Sequence, residues 1–154
     1  MILPVHYHAD PFLHNRVLWA AAAGWVAAQS IKVFLAVWQK HRFDVRWFLG
    51  TGGMPSAHSA GVSSLAVAVG LEQGFHSPIF AIALIFALVT MFDAQGVRRA
   101  TGRQGMAFNK LIDDLYSVGQ VSQERVMEVL GHTPTEVFVG ALLGGLIAVA
   151  LYRF

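Results

Sequence analysis

Two histidines in this 154-residue sequence stand beside helix-starting signals, His58 in TGGMPSAHS (51–59) and His132 in GHTPTE (131–136). In the first run Gly53 and its neighbour allow a tight turn, Pro55 forbids a helix running through, and Ser56 is a good N-cap. The free N–H groups of the helix that follows, beginning at Ala57, suit an anion, and His58 in its first turn can exchange a proton with that anion. The same residues also make an ordinary capped loop. In the second run Thr133, Pro134 and Glu136 form a capping box that by itself explains the threonine and the acid. It leaves His132 unexplained. A histidine just ahead of a helix N-terminus is kept neutral by the positive end of the dipole, as a nucleophile or ligand requires, and Glu136 can reach one ring nitrogen.

Two further clusters carry charge toward these histidines. DAQGVRRATGRQ (93–104) holds Arg98, Arg99 and Arg103, which can bind a phosphate or anionic lipid heads. Asp93 stands at the wrong end of a helix dipole and is expected to pair with a cation or another polar group, while Gly96 is expected to let the chain leave the helix. Gln29 and Lys32 share a face of an apolar helix, Lys32 about 12 Å below Lys40 by helix rise. An intramembrane lysine either snorkels to the interface or serves a site, here the anion site at Ser56.

The elements that must position these groups are membrane-like. The sequence is 55% hydrophobic and 13% charged with mean hydropathy +0.53, too apolar for a soluble domain of its length. The absence of cysteine excludes disulfides, thiolate metal sites and cysteine nucleophiles. A net charge of +2 implies no nucleic-acid partner. Met1 to Phe12 has no signal-peptide pattern, so the first apolar helix is expected to stay. Four apolar segments stand out: Val17 to Trp38, Ala57 to Leu71, Pro78 to Phe92 and Glu136 to Tyr152. The middle two are short enough to be tilted spans or buried helices, joined as a hairpin with Ser77 as cap and Pro78 at N1. Gly140 and Gly144 allow a close helix approach, within the chain or in a homodimer. Between the third and fourth segments, Phe108, Leu111, Ile112 and Leu115 mark an interfacial amphipathic helix, and a second short helix is expected from Ser122 to Gly131. The expected fold is an all-α integral membrane protein, one domain over 1–154, with a bundle of about four hydrophobic helices plus one or two interfacial ones.

Eight of the 11 Lys and Arg fall in 39–54 and 93–131, on one side of a four-span arrangement. The positive-inside rule then puts both termini outside and the polar motifs at the cytoplasmic face of a multi-pass cell-membrane protein.

TGGMPSAHSA, DAQGVRR and LGHTPTEV, in this order between apolar helices, resemble the divergent branch of the type 2 phosphatidic acid phosphatase superfamily over roughly Gln29 to Leu146. That superfamily is similar to bacterial acid phosphatases and vanadium haloperoxidases. The resemblance implies hydrolysis of a lipid-linked phosphomonoester or pyrophosphate through a phosphohistidine, with neither metal nor cofactor. By motif, Ser56 and the backbone of Pro55 to His58 bind phosphate, His58 protonates the leaving oxygen, His132 is the nucleophile and Glu136 orients it. Ala57 replaces the usual glycine and Glu136 the usual aspartate. The Arg-Pro seven residues after the first-motif lysine is Gln39 here, and Val126 stands where an arginine should precede His132, with Arg125 one place off. The cationic cradle must therefore come from Lys32 and some of Arg42, Arg46, Arg98 and Arg99. Three other functions are compatible with these residues: a phospholipid or phosphate binder without turnover, a proton- or ion-coupled transporter using Lys32, Asp93, His58 and Glu136, and a metal-assisted phosphatase using Asp93, Asp113 and Asp114.

Overall fold

Among the described residues small side chains dominate the interior, so helices approach one another closely and no large apolar core forms there. The computed structural model describes residues 13–41, 53–117 and 131–153, and they are helical almost throughout. The elements are α1 (Arg16–Lys40), α2 (Ala57–Gln73), α3 (Pro78–Gln95), α4 (Val97–Ser117) and α5 (Pro134–Arg153). Each apolar segment forms a helix one to three residues longer at its ends than the apolar run itself. The expected caps are present: Ser56 accepts from the Ser59 amide, Ser77 from the Phe80 amide with Pro78 at N1, and Thr133 from the Glu136 amide.

The short second segment is the central helix. Among the described residues, α2 packs on α1, α3 and α5, while the backbones of α1 and α3 do not approach each other closely. Its face toward α5 is small and polar. The Cβ that an alanine would add at Gly140 falls 2.4 Å from the Ser56 carbonyl oxygen, and at Gly144 2.0 Å from that of Ala60. Only glycine allows this approach, so the two glycines serve packing within the chain. Serine hydroxyls tie α2 to both neighbours: Ser63 donates to the Ala141 carbonyl of α5 and Ser64 to the Ala20 carbonyl of α1, both at 2.7 Å. Such interhelical bonds contribute about 0.6 kcal/mol on average and at most about 1.7.

α1 runs antiparallel to α2 and α5. At its start Arg16 donates to the Leu151 carbonyl at 3.1 Å and its guanidinium lies 4.5 Å from the Tyr152 ring, while Tyr152 donates to Glu72 at the end of α2. The start of α1 and the ends of α2 and α5 therefore share one end of the bundle, and the motif-bearing ends of α2, α3 and α5 share the other. Arg16–Gln39, the stretch 78–115 and Pro134–Arg153 are long and apolar enough to cross a membrane. The outer face of α3 exposes Ile82, Phe86, Val89 and Phe92, a patch that needs lipid rather than water around it.

Gly96 behaves differently from the expected helix exit. It keeps right-handed φ and ψ of −92° and −71°, its amide donates to the Phe92 carbonyl and its own carbonyl accepts from Ala100, so α3 runs into α4 with a one-residue interruption. Nothing at this position demands left-handed backbone, so the helical hydrogen bonds continue across it. α4 thus starts earlier than its apolar spacing suggested. Phe108 and Leu111 are exposed, and Gly102, Gly105 and Asn109 form its buried side. The expected helix from Ser122 to Gly131 lies outside the described residues.

Candidate functional site

Three helix ends and one helix interior meet at the site. The start of α2 supplies Ser56 and His58, the start of α5 supplies His132 and Glu136, the end of α3 supplies Asp93 and Ala94, and α1 supplies Gln29 and Lys32. Backbone hydrogen bonds lock the three ends together. The Ser56 amide donates to the Glu136 carbonyl and the His132 amide to the Ala94 carbonyl, each at 3.0 Å. Residues 74 apart in sequence are thereby brought side by side. The His58 and His132 rings lie edge to face, centroids 6.1 Å apart.

His132 is 3% exposed and its Nδ1 lies 2.9 Å from Glu136 Oε2. The same oxygen accepts the Thr133 amide at 3.2 Å, and Thr133 Oγ1 accepts the Glu136 amide at 3.3 Å. The capping box and the histidine-orienting bond are therefore one arrangement, with a single carboxylate doing both. A carboxylate acceptor at Nδ1 puts the ring proton there and leaves the Nε2 lone pair free for chemistry.

At the facing helix start, Ser56 is fully buried, and its Oγ accepts from both the Ser59 amide at 3.3 Å and the Ser59 hydroxyl at 3.1 Å. With both lone pairs engaged, the Ser56 hydroxyl proton is directed elsewhere, as a donor. The amides of Ser56 and Ser59 are used inside the protein, which takes both out of the set at this helix start that could meet an anion. This narrows the expected set of phosphate-binding N–H groups.

Lys32 reaches this region. Gly53 has φ +82°, and a Cβ there would touch the Lys32 stem at 3.7 Å, so the glycine turn rests on the lysine. The Lys32 ammonium also attracts the Glu136 carboxylate. Gln29, one turn earlier, is 3% exposed and engaged. Asp93 is half-buried and engaged, one residue before the carbonyl that holds His132. Arg98 and Arg99 lie in the first turn of α4, and their side chains fall outside the described residues, as do Arg42, Arg46 and Arg125. Among the described residues, no three His, Asp or Glu side chains gather as a metal-ligand set, and Asp113 and Asp114 lie well along α4.

Ser59, the Ala94 carbonyl and the Glu136 carbonyl were not singled out from the sequence. Ser59 had a usable signal, being one helical turn after the N-cap. The two carbonyls had none, because a main-chain acceptor leaves no mark on residue type.

Comparison with known proteins places the chain in a family. An uncharacterized membrane protein of Bacillus subtilis (strain 168), YuiD, is 40% identical over 153 residues, covering 92% of this chain and 97% of that protein. No solved structure matches. The family described as the Divergent PAP2 family matches residues 13–147, a stretch that contains every site residue above. With its apolar spanning helices and two motif-bearing helix starts facing each other, the chain is a membrane protein that belongs to the divergent PAP2 family, a family related to phosphatases.

Proposed function

We propose that the protein is a membrane-bound phosphatase acting on a lipid-linked or amphipathic phosphomonoester or pyrophosphate, with neither metal nor cofactor. The observation that carries this reading is the meeting of His58 and His132, rings 6.1 Å apart, with His132 Nδ1 held by Glu136. In the proposed reaction His132 Nε2 attacks phosphorus, the ester P–O bond breaks, and His58 gives its proton to the departing oxygen. Water then attacks the phosphohistidine, His58 takes a proton from that water, and the N–P bond breaks to release phosphate. Lys32, Ser56 and the Ala57 amide offset charge on the equatorial oxygens in a site shielded from bulk water. Gln29, Asp93 and the arginines 42, 46, 98 and 99 complete the proposed surroundings. The site end faces the cytoplasm in this reading.

Purified protein is expected to release phosphate from lipid phosphates in the presence of chelator and to form an acid-labile phosphoenzyme. His132→Ala should abolish both, and His58→Ala should lower kcat by about 10²- to 10⁴-fold. A full-rate His132→Ala protein would falsify the mechanism. Glu136 in place of the usual aspartate and Gln39 where the first motif has its arginine favour a second reading, a binder without turnover. It is distinguished by saturable retention of a lipid phosphate with no phosphate release.

A further inference from the structure

The four helices that frame the site are tied together at two levels. At one level Arg16 donates to the Leu151 carbonyl, its guanidinium lies 4.5 Å from the Tyr152 ring, and Tyr152 donates to Glu72, which joins α1, α5 and α2. The start of α3 is there too, since Ile79 lines one cavity with Asn15 and Glu72. The other level is the site. Main-chain bonds join Ser56 to Glu136 and His132 to Ala94, and a Cβ on Gly53 would touch the Lys32 stem at 3.7 Å. Sixteen residue steps separate the two levels on every helix: Arg16 to Lys32 on α1, Ser56 to Glu72 on α2, Pro78 to Ala94 on α3 and Glu136 to Tyr152 on α5. Sixteen steps rise about 24 Å.

The outward surface between these levels is apolar, with Phe86 and Phe92 exposed on α3 and Phe138 and Leu146 on α5. It ends at the site level, where Asp93 follows Phe92 and Glu136 precedes Val137. A bilayer core is about 30 Å thick, so the belt is about 6 Å short, and any tilt of the helices widens the gap. Either Asp93, Glu136 and the start of α5 sink into hydrocarbon, or the lipid boundary comes down to them. Mismatch is a modest cost for each Å, whereas carboxylates held in hydrocarbon are expensive, so the boundary yields. α1 runs on apolar from Val33 to Trp38. Its exposed Trp38 lies about 9 Å beyond Lys32, in the headgroup layer where tryptophan is enriched.

We propose that the protein is fitted to short-chain lipids, a bilayer about 6 Å thinner than average, and that it draws the lipid boundary down to the level of Ser56 and His132. With the phosphatase reading above, on which this consequence rests, the thinning brings the phosphates of neighbouring lipids to the two histidines without any lipid leaving the membrane. The fit to thin bilayers stands without that reading.

Brominated lipids test the fit. Trp25 is 40% exposed and about 14 Å from Arg16 by helix rise, near the middle of the belt, so tryptophan fluorescence reports on the chains beside it. The protein is reconstituted in dioleoyl phosphatidylcholine mixed with its dimyristoleoyl or dierucoyl counterpart, one lipid of each pair being dibrominated. Dimyristoleoyl lipid is expected to bind about threefold or more tightly than dierucoyl lipid, with dioleoyl between them. Strongest binding of dioleoyl or dierucoyl lipid overturns the proposal.

A second measurement locates the boundary. The chain has no cysteine, so Phe86→Cys and Phe92→Cys each carry one nitroxide label in dioleoyl vesicles. Oxygen is expected to reach the label at position 86, and a water-soluble nickel chelate the label at position 92. A label at 92 as closed to the chelate as that at 86 puts the site end inside hydrocarbon and overturns the proposal. A label at 86 closed to both reagents marks a second copy on this face of α3 and overturns it as well. Hydrolysis of hexadecyl phosphate separates the two readings. It is expected to be about threefold or more slower in dierucoyl than in dimyristoleoyl vesicles. Equal rates in both would overturn the drawing of the boundary to the site. No hydrolysis in either, with short-chain binding intact, would defeat the phosphatase reading and leave the fit to thin bilayers standing.

Discussion

Glu136 serves two bonds with one oxygen, and this makes its two roles separable by experiment. The Thr133 amide asks only for an acceptor, whereas in the proposed reaction His132 Nδ1 asks for a charged one that stabilises the cation formed when the ring attacks phosphorus. Glu136→Gln keeps a side-chain oxygen for the cap and removes the charge. Thermal stability should change by less than about 1 kcal/mol, the usual worth of a cap. Lipid phosphate turnover should drop far more, by up to about 10⁴-fold, the scale of losing the charged partner of a catalytic imidazole. Equal, small losses in both would leave Glu136 as a cap alone. Glu136→Asp restores the charge with a shorter reach and should recover part of the rate if orientation of His132 is the role.

The α2–α5 contact decides whether the histidines can meet at all. α5 lies so close to α2 that Gly144 admits no side chain, while the adjoining Gly145 faces Val67 and Ser63 at ordinary contact distances of 3.7 and 3.8 Å. Gly144→Ala is expected to destabilise the protein by about 1–3 kcal/mol or to push the helices apart. Gly145→Ala should stay within about 0.5 kcal/mol of wild type. Both are read by thermal or denaturant unfolding in detergent. A displaced α5 also carries His132 and the Glu136 carbonyl away from Ser56, so Gly144→Ala should lose turnover beyond its loss of stability. If the two alanines behave alike, the close approach is not what holds this pair.

The bundle places the start of α1 and the end of α5 together, opposite the site, so the whole molecule predicts one labelling pattern. The native chain has no cysteine, which makes single-cysteine variants free of background. With the site end cytoplasmic, as the eight cations on that side lead one to expect, His76→Cys in the α2–α3 turn should react with a membrane-impermeant thiol reagent added to intact cells. Arg103→Cys on α4 should react only after the membrane is opened. The reverse pattern would turn the proposed site toward the outside, and reaction of both from outside would break the spanning arrangement. α4 fits the interface in this picture, since Phe108 and Leu111 are exposed on one face while Arg103 and Lys110 lie around the helix from them.

The apolar segments, their caps and the two histidine motifs were legible in the amino-acid order, because hydrophobic length, proline, N-cap serine and the Thr-x-x-Glu box are local properties of a chain. The family resemblance likewise lies in short contiguous motifs. What order alone left open were questions of distance between segments. The sequence could not tell that Gly140 and Gly144 meet α2 of the same chain, that the short second segment is the centre of the bundle, or that Gly96 continues a helix. Nor could it tell whether Glu136 caps a helix or orients a histidine, since both use the same spacing; the fold shows one oxygen doing both. The joining of His58 to His132 was decided by tertiary structure for a physical reason. It depends on main-chain bonds from Ser56 to Glu136 and from His132 to Ala94, and every residue but proline carries the same donor and every residue the same acceptor.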